Sequence, residues 1–310
     1  MSTKKKVILG VFGVLLVAFI GVVGVAAKIY FDVKSSANDT YASAERSTTL
    51  REETGTTAEI SEQEPFSVLL LGIDTGALGR DEQGRSDTMI LATVNPQLGQ
   101  TTMISLERDT YTEIVGHGTT EKLNSAYAYG GVAMAMDTVE NLLSVPVDHY
   151  ITINMAGLEE LVDAVGGITV NNSFTFDYEG TNFSIGTINL NGEDALKYSR
   201  MRYDDPNGNY GRQERQRKVI AAIAQKVLSF SGVTEYQSIL NAISSNMTTD
   251  FTFDEMTSIA LNYRNSFTNI VGDQLQGTGF MQDGVSYQSV SAEEIARVKA
   301  IADEQLGITE

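Results

Sequence analysis

An uncharged stretch near the N-terminus constrains this chain more than any other feature of its sequence. Val7 to Ala27 contains 21 residues without Asp, Glu, Lys or Arg. At about 1.5 Å per residue, a helix of this length crosses a hydrocarbon core of about 30 Å. Three lysines, at positions 4, 5 and 6, precede it, and such residues favour the cytoplasmic side. We therefore predict a cytoplasmic N-terminus at residues 1–6, a transmembrane helix at residues 7–27 and an exported remainder.

A cleaved secretory peptide is the alternative, because Val25-Ala26-Ala27 resembles a small-residue cleavage site. The apolar region of such a peptide usually has only about 7–15 residues, which favours the anchor. Both interpretations export the body, and the absence of cysteine suits an oxidising exterior. The anchor predicts a single-pass protein of the cell membrane whose catalytic domain is extracellular.

Composition separates the exported part into two regions. Residues 28–64 are rich in Ser, Thr, Glu and Ala and poor in large apolar residues, so they cannot bury a core of their own. We predict an extracytoplasmic linker there, which as a flexible coil would span roughly 30 Å. Residues 65–310 are predicted to form one domain. The net charge of −18 would repel phosphates along a nucleic acid, so we expect no DNA or RNA partner.

The domain begins with three apolar segments that predict neighbouring strands. They are Phe66–Ile73, Met89–Val94 and Met103–Leu106. A short, turn-rich connection joins the second to the third, as in antiparallel pairs. Strands that run up, down and up would bring charged residues together at one end of the sheet. These residues are Asp74, Arg85, Asp87, Arg108 and Asp109.

Helical spacing alternates with further strand-like segments in the rest of the domain. The predicted helices are Gly131–Ser144, Ala156–Val165, Gly192–Ser199, Tyr210–Phe230, Phe253–Tyr263 and one that begins at Ser291. The predicted strands are Val147–Ile153, Ile168–Val170, Gln274–Phe280 and Val285–Val290. We therefore predict an α/β fold, a single exported domain with a central mixed β-sheet flanked by helices.

Arginine is concentrated in one part of this acidic chain. Seven of its 22 Lys and Arg residues lie between Lys197 and Lys218. A guanidinium group holds phosphate oxygens through two parallel bonds, so several arginines together suit a pyrophosphate. The N-terminus of the predicted helix would add unpaired amides. The alternative is a solvated helix face that pairs with Asp204, Asp205 and Glu214.

Two carboxylates at the predicted sheet edge suggest a cation. Mg²⁺ is usually bound through one or two carboxylates together with substrate phosphates, so Asp74 and Asp87 are candidate metal ligands. The alternative is that each caps a turn, as Asp commonly does at strand ends.

Several blocks of sequence in a fixed order are similar to the LytR-CpsA-Psr family. They are Leu71-Gly72-Ile73-Asp74, Arg85-Ser86-Asp87-Thr88, Arg108-Asp109, Lys122-Leu123-Asn124, Asn191-Gly192-Glu193, Arg200-Met201-Arg202 and Gly211-Arg212-Gln213-Glu214-Arg215-Gln216. The resemblance implies an Mg²⁺-dependent phosphotransferase. Such an enzyme moves an anionic glycopolymer, of the teichoic acid or capsular polysaccharide type, from a polyprenyl-pyrophosphate carrier in the membrane to peptidoglycan.

The resemblance also implies roles for individual residues. Asp74 and Asp87 would hold the metal, and three arginines would be catalytic: Arg108, Arg200 and Arg202. The pyrophosphate would be bound by Arg85, Arg108, Arg200, Arg202, Arg212 and Gln216. The carrier's tail would lie in an apolar cavity within the domain.

The chain departs from the family pattern at two positions. Asn209 stands where an Asp often precedes the Gly-Arg pair, and Glu107 stands where Pro usually precedes Arg-Asp. Because a neutral amide cannot act as a base, position 209 is not expected to deprotonate the acceptor hydroxyl here. Asp74, Asp87 or a substrate phosphate would then take the proton. Two other functions stay open: a polyprenyl-pyrophosphate hydrolase, and a non-catalytic surface regulator that binds the lipid or the glycopolymer.

Overall fold

The computed structural model describes residues 28–74, 84–229 and 236–308. The predicted cytoplasmic segment and transmembrane helix, residues 1–6 and 7–27, lie outside these ranges. Within them, no helix is both long and apolar enough to cross a bilayer. The anchor and the location at the cell surface therefore stay predictions.

Strands and helices alternate along the described chain. The strands are β1 (Phe66–Ile73), β2 (Ser86–Asn95), β3 (Gln100–Ser105), β4 (Tyr111–Ile114), β5 (Thr119–Lys122), β6 (His149–Asn154), β7 (Ile168–Asn172), β8 (Phe176–Tyr178), β9 (Thr181–Phe183), β10 (Gly186–Leu190), β11 (Met247–Thr249), β12 (Ile270–Gln274), β13 (Thr278–Gln282) and β14 (Val285–Ser289). The helices are α1 (28–40), α2 (Leu50–Thr54), α3 (Ser125–Leu143), α4 (Met155–Ala164), α5 (Gly192–Arg200), α6 (Gly208–Ser229), α7 (Tyr236–Asn246), α8 (Phe253–Asn262) and α9 (Ala292–Leu306).

A six-stranded sheet with the order β11-β6-β1-β2-β3-β12 forms the centre of the domain. β2 is antiparallel to both β1 and β3, whereas β6 is parallel to β1 and β12 is parallel to β3. The predicted mixed α/β fold with a central mixed sheet and flanking helices is confirmed.

The bounds of β1 agree with the sequence prediction because this strand is buried on both faces. Leu69 and Leu71 pack with residues of α3 and α9 on one side of the sheet. Phe66 and Val68 pack on the other side, with residues around α8. A strand covered on both faces has a continuous apolar sequence, and that pattern is easy to detect.

The register of the first three strands positions the charged residues predicted to meet. Ile73 at the end of β1 pairs with Ser86 at the start of β2. Ile90 in β2 pairs with Ser105 at the end of β3. The residues that follow β1 and β3 and those that begin β2 therefore lie at one edge of the sheet, as predicted.

One predicted strand, Gln274–Phe280, has the wrong bounds. β12 ends at Gln274 and β13 begins at Thr278. Between them Leu275 is fully buried in the core. A Cβ atom on Gly277 would lie 2.9 Å from the Ser289 carbonyl oxygen, so glycine permits a close approach to the end of β14. The chain turns here, and one strand becomes two.

Helix α3 is longer than predicted because it contains a kink. Gly131 has φ 64° and ψ −151° inside the helix, a conformation that side chains disfavour. The sequence pattern detected only the part that begins at Gly131, whereas the helical residues begin at Ser125. Helix α6 begins at Gly208, two residues before its predicted start, and the predicted end at Phe230 lies outside the described residues.

The segment predicted as a linker does not form a free coil in residues 28–64. It contains α1 and α2. Ala37 and Ile60 are only 6% and 2% exposed. The Ser36 hydroxyl donates to the carbonyl of Leu240 in α7 at 3.1 Å. Small and polar residues therefore dock this segment on a core supplied by the domain. Its role as a spacer from the membrane stays a prediction.

Arg46 attaches this segment to α3 through ion pairs. Its Nε donates to Asp137 Oδ1 at 2.6 Å, and its Nη1 donates to the Val147 carbonyl at 2.7 Å. Its Nη2 also donates to Glu140. Both carboxylates belong to α3, and the Arg46 side chain is only 3% exposed. These contacts come from single charged residues, which a hydropathy pattern does not reveal. Composition alone therefore predicted a linker that is separate from the domain.

We predict that Arg46→Ala lowers the free energy of unfolding by about 3–5 kcal/mol, because it leaves two carboxylates without their cation in a partly buried site. Urea denaturation of the full-length protein in detergent measures this change. Arg297→Ala is the control, since that side chain is 40% exposed and its ion pairs should contribute no more than about 1 kcal/mol. Equal losses for the two variants would contradict the assignment.

Candidate active site

An ion pair stands at the sheet edge where the first three strands converge. Arg108 Nη1 donates to Asp87 Oδ1 at 2.6 Å. Burial opposes the charge of Arg108, but the Asp87 and Asp109 carboxylates outweigh it and raise the Arg108 pKa. The Asp109 carboxylate also accepts from Lys122 Nζ at 2.7 Å. Three of the family-like blocks thus meet through direct contacts.

Two further predicted site residues border this ion pair. Asp74 follows β1 directly and lies at the same edge. Arg85 is exposed and precedes β2. The pKa of the Tyr129 hydroxyl is raised, first by its hydrogen bond to Glu121, and the charge of Arg85 opposes this effect. Arg85 therefore lies near Tyr129, on the side of the edge that faces α3.

Arg212 brings the arginine-rich segment to the same place. It lies in the second turn of α6 and is partly buried. Burial lowers the pKa of its guanidinium, and the charges of Arg108 and Arg202 lower it further. Glu107 and Asp87 have the opposite effect. Arg108 and Arg202 therefore both lie close enough to Arg212 to repel its charge, which is a favourable electrostatic condition for binding an anion.

The Nε of Arg212 is buried and has no hydrogen-bond partner among the described residues. Buried donors are nearly always paired in native proteins, so an unpaired guanidinium nitrogen in a cationic cluster points to a ligand. Gln216 lies four residues after Arg212, on the same face of α6. The structure thus places a donor-rich helix face beside the sheet edge.

Arg200 and Arg202 lie at the C-terminal end of α5. Arg200 is the last residue of that helix, and its side chain is 45% exposed. Its Nη1 lies 3.9 Å from Glu179 Oε1, in the β8–β9 turn. Arg202 is partly buried and close enough to Arg212 to lower its pKa. The described contacts join Arg202, but not Arg200, directly to the charge cluster.

A buried arginine fixes the position of these two residues. Arg215 Nε donates to the Tyr198 carbonyl at 2.9 Å, and its Nη2 donates to the Met201 carbonyl. Its Nη1 pairs with Asp205, which is also buried. The guanidinium lies over the Phe176 ring at 5.3 Å. Arg215 therefore ties the end of α5 to α6 and is not available to a substrate.

Part of the arginine-rich segment between Lys197 and Lys218 is thus a solvated helix face whose charges pair with one another, as the alternative interpretation predicted. Lys218 pairs with Glu214 at 2.7 Å on the surface of α6. Arg217 is buried, and its Nη1 donates to the Ser105 hydroxyl at 2.5 Å. These residues, like Arg215, are structural. Of the arginines on α6, Arg212 is the one that faces the charge cluster.

Glu107 has no role among the sequence predictions, yet it lies directly before Arg108 and contacts α6. Its side chain is 1% exposed and accepts from Gln213 Nε2 at 2.8 Å. Asn209 Nδ2 donates to the same oxygen. Burial raises the pKa of this carboxyl, while Asn209 and Arg212 favour its charged form. The signals in the sequence are two departures from the family pattern, Glu107 in place of Pro and Asn209 in place of Asp. The sequence alone does not show that these two residues contact each other.

The carboxylates at the edge satisfy the first condition for a divalent cation. Asp87 is 43% exposed, so its carboxylate is accessible beside Arg108. Among residues 28–74, 84–229 and 236–308, no group of three or more His, Asp or Glu side chains is arranged to bind a metal. A site here would therefore consist of Asp74 and Asp87 completed by phosphate oxygens and water, the type that Mg²⁺ favours.

The family model described as the LytR_cpsA_psr family matches residues 27–304, which is most of the chain. The protein belongs to this family. The family resemblance identified from the sequence blocks is thereby confirmed.

Three relatives illustrate the match. An Enterococcus faecalis protein named polyisoprenyl-teichoic acid–peptidoglycan teichoic acid transferase TagU is 59% identical over 306 residues, with 99% of each chain covered. The crystal structure of Bacillus subtilis TagU is 40% identical with a TM-score of 0.64, and it covers 78% of this chain and 97% of that one. A structure described as TagT bound to LI-WTA is 29% identical with a TM-score of 0.66, covering 80% and 92% of the two chains.

Proposed function

We propose that this protein is a phosphotransferase that moves an anionic glycopolymer of the teichoic acid type from a polyprenyl-pyrophosphate carrier to peptidoglycan. The observation that carries the proposal is the cluster of Arg108, Arg202 and Arg212 beside the carboxylate of Asp87. The names of the relatives agree with transfer of a glycopolymer to peptidoglycan. The fold also brings several of the family blocks, though far apart in sequence, into contact at one edge of the sheet.

The reaction that fits this site is an attack by a sugar hydroxyl of peptidoglycan on the phosphorus that carries the glycan. The bond between that phosphorus and the bridging oxygen breaks, and polyprenyl phosphate leaves. The charge on the transferred group spreads over its oxygens, where Arg108, Arg202 and Arg212 would stabilise it. Arg85, Arg200 and Gln216, which the family resemblance also assigns to the pyrophosphate, would position the rest of that group.

The proton of the attacking hydroxyl needs an acceptor. Asn209 is a neutral amide whose Nδ2 donates to Glu107, so it does not supply a base. Asp74 and Asp87 are the carboxylates at the open edge, and a phosphate oxygen of the substrate is the other acceptor. The Asp87 side chain is 43% exposed, so it is accessible to the acceptor hydroxyl, as a phosphate oxygen of the substrate would be.

Mg²⁺ is part of the proposal. Asp74 and Asp87 would hold it, and the bound ion would supply a Lewis acid for the phosphate oxygens. Arg108, which is paired with Asp87, would be shared between this carboxylate and the substrate phosphates. The carrier's polyprenyl tail and the membrane anchor at residues 7–27 complete the proposal, since a lipid substrate requires an enzyme at the bilayer. A capsular polysaccharide would use the same chemistry as a teichoic acid.

We predict that Arg212→Lys lowers glycan transfer by about 10–100-fold, because an ammonium group cannot make the paired contacts of a guanidinium with phosphate. The assay incubates the full-length protein in detergent with polyprenyl-pyrophosphate-linked glycan and peptidoglycan oligomer and follows the acceptor by mass spectrometry. Arg264→Lys, at an exposed position on the opposite part of the fold, is the control and should transfer normally.

The same assay separates the two alternatives. Release of glycan phosphate without joining to the acceptor would indicate the hydrolase. Tight binding of the lipid without any product would indicate the regulatory binding protein. Near-normal transfer by Arg212→Lys would contradict the proposed role of the arginine cluster.

We predict that Asp87→Asn weakens Mg²⁺ binding by at least about tenfold and abolishes most transfer, because one of two carboxylate ligands is lost. Titration calorimetry with Mg²⁺ and inorganic pyrophosphate measures binding without reference to activity. Asp177→Asn, an exposed carboxylate in β8, is the matched control and should leave both values unchanged. Unaltered Mg²⁺ affinity in Asp87→Asn would rule out this residue as a ligand.

A further inference from the structure

The buried carboxylate of Glu107 connects the two halves of the site. Glu107 comes from the segment after β3, directly before Arg108. Its partners Asn209 and Gln213 lie four residues apart on α6, so both side chains leave the same face of that helix. Two donors from α6 therefore hold the acidic group of the segment after β3 in a fixed place.

The surroundings of Glu107 act on its charge in opposite directions, and their net effect raises its pKa. Burial raises the pKa, as does the charge of Asp109. The hydrogen bond from Asn209 and the charge of Arg212 act in the opposite direction. The geometry shows that one oxygen of Glu107 accepts from both Asn209 and Gln213, so this carboxyl group is arranged as an acceptor. In its ionised form, Glu107 places a negative charge next to a cluster whose proposed ligand is itself negative.

Glu107 also determines which way two amide side chains point. Because Asn209 and Gln213 both use their NH₂ groups on Glu107, their carbonyl oxygens face away from it. Both oxygens are buried and have no hydrogen-bond partner among the described residues, and the same is true of Arg212 Nε. Unpaired polar atoms around one buried anion show an arrangement that is not optimised for the free protein alone.

We propose that Glu107 is a positioning residue that orients the first turns of α6 toward the substrate and limits the affinity of Arg108 and Arg212 for phosphate. This inference rests on the proposed phosphotransferase function. The benefit of limited affinity lies in turnover. A site that binds both substrate and phosphorylated product very tightly gains nothing in rate, and it releases the product slowly.

Direct participation in the chemistry does not fit the geometry. The Glu107 side chain is 1% exposed, and one of its oxygens already accepts from two amides. It is therefore placed to act through Asn209, Gln213 and the neighbouring arginines. A role only in stability would predict that its loss weakens ligand binding and turnover together, whereas the proposed role separates them.

The test compares Glu107→Gln with the unaltered full-length protein in detergent. Glu107→Gln should bind inorganic pyrophosphate about three- to tenfold more tightly, because one negative charge near the anion is removed. Its turnover in the transfer assay should fall at least about tenfold, because the amide no longer holds Asn209 and Gln213 as an anion does. Calorimetry gives the affinity, and the transfer assay gives kcat and KM separately.

Glu214→Gln is the matched control, since it removes a carboxylate from the same helix at a side chain that is 45% exposed and paired with Lys218. It should change neither value by more than about twofold. Unchanged or weaker pyrophosphate binding by a folded Glu107→Gln protein would overturn the proposal. The affinity measurement does not depend on transfer activity, so it tests the role of Glu107 even if the unaltered protein is a hydrolase. Failure of the proposed function and failure of this inference are therefore distinguishable.

Glu107→Asp covers the case in which Glu107→Gln does not fold. It keeps the charge but shortens the reach to α6. We expect pyrophosphate affinity within about twofold of the unaltered protein and a clear loss of turnover. Normal turnover in this variant would show that Glu107 does not position α6, and a large gain in affinity would show that its charge is not what limits binding.

Discussion

The buried ion pair between Arg215 and Asp205 is the interaction on which the site depends. Arg215 holds the carbonyls of Tyr198 and Met201, so it fixes the chain between α5 and α6. The Asp205 carboxylate packs so closely on Gly211 that a Cβ atom there would lie 2.1 Å from it. Because the pair is dry and fully bonded, breaking it would leave a buried charge, which is far more costly than losing a surface pair. This buried ion pair therefore determines the positions of Arg202 and Arg212.

The second constraint is the register of the sheet. Antiparallel pairing of β1, β2 and β3 brings Asp87 and Arg108 into contact, although 21 positions separate them. Helix α6 then crosses this edge with Arg212. A chain with a net charge of −18 thereby concentrates positive charge at one place. The acidic remainder repels polyanions in general, so the proposed binding of phosphate depends on this local group of arginines.

Much of this arrangement was predictable from the sequence, for a physical reason that differs from part to part. The bounds of β1 were correct because a doubly buried strand is continuously apolar. The convergence of Asp74, Asp87 and Arg108 followed from strand direction. Which arginine faces the charge cluster and which is structural was not predictable, because Arg212 and Arg215 have the same side chain and lie only three positions apart. What separates them is burial against Tyr198 and Phe176, which depends on the tertiary fold.

Two further features lay beyond sequence reasoning. The docking of residues 28–64 depends on single charged contacts, such as that of Arg46 with α3, which do not alter composition. Glu107 and Asn209 looked like two unrelated departures from the family pattern, yet they form a direct hydrogen bond across 102 positions. Only the fold shows that a substitution in one element contacts a substitution in another.

The most direct measurement for this account is a crystal structure of the protein with a short-chain polyprenyl pyrophosphate and Mg²⁺. We expect the phosphate oxygens to contact Arg108, Arg202 and Arg212, and the cation to lie between Asp74 and Asp87. The apolar tail should enter the domain from that edge of the sheet. Pyrophosphate bound elsewhere, with Arg108 still paired to Asp87 and no ligand at Arg212, would contradict the account.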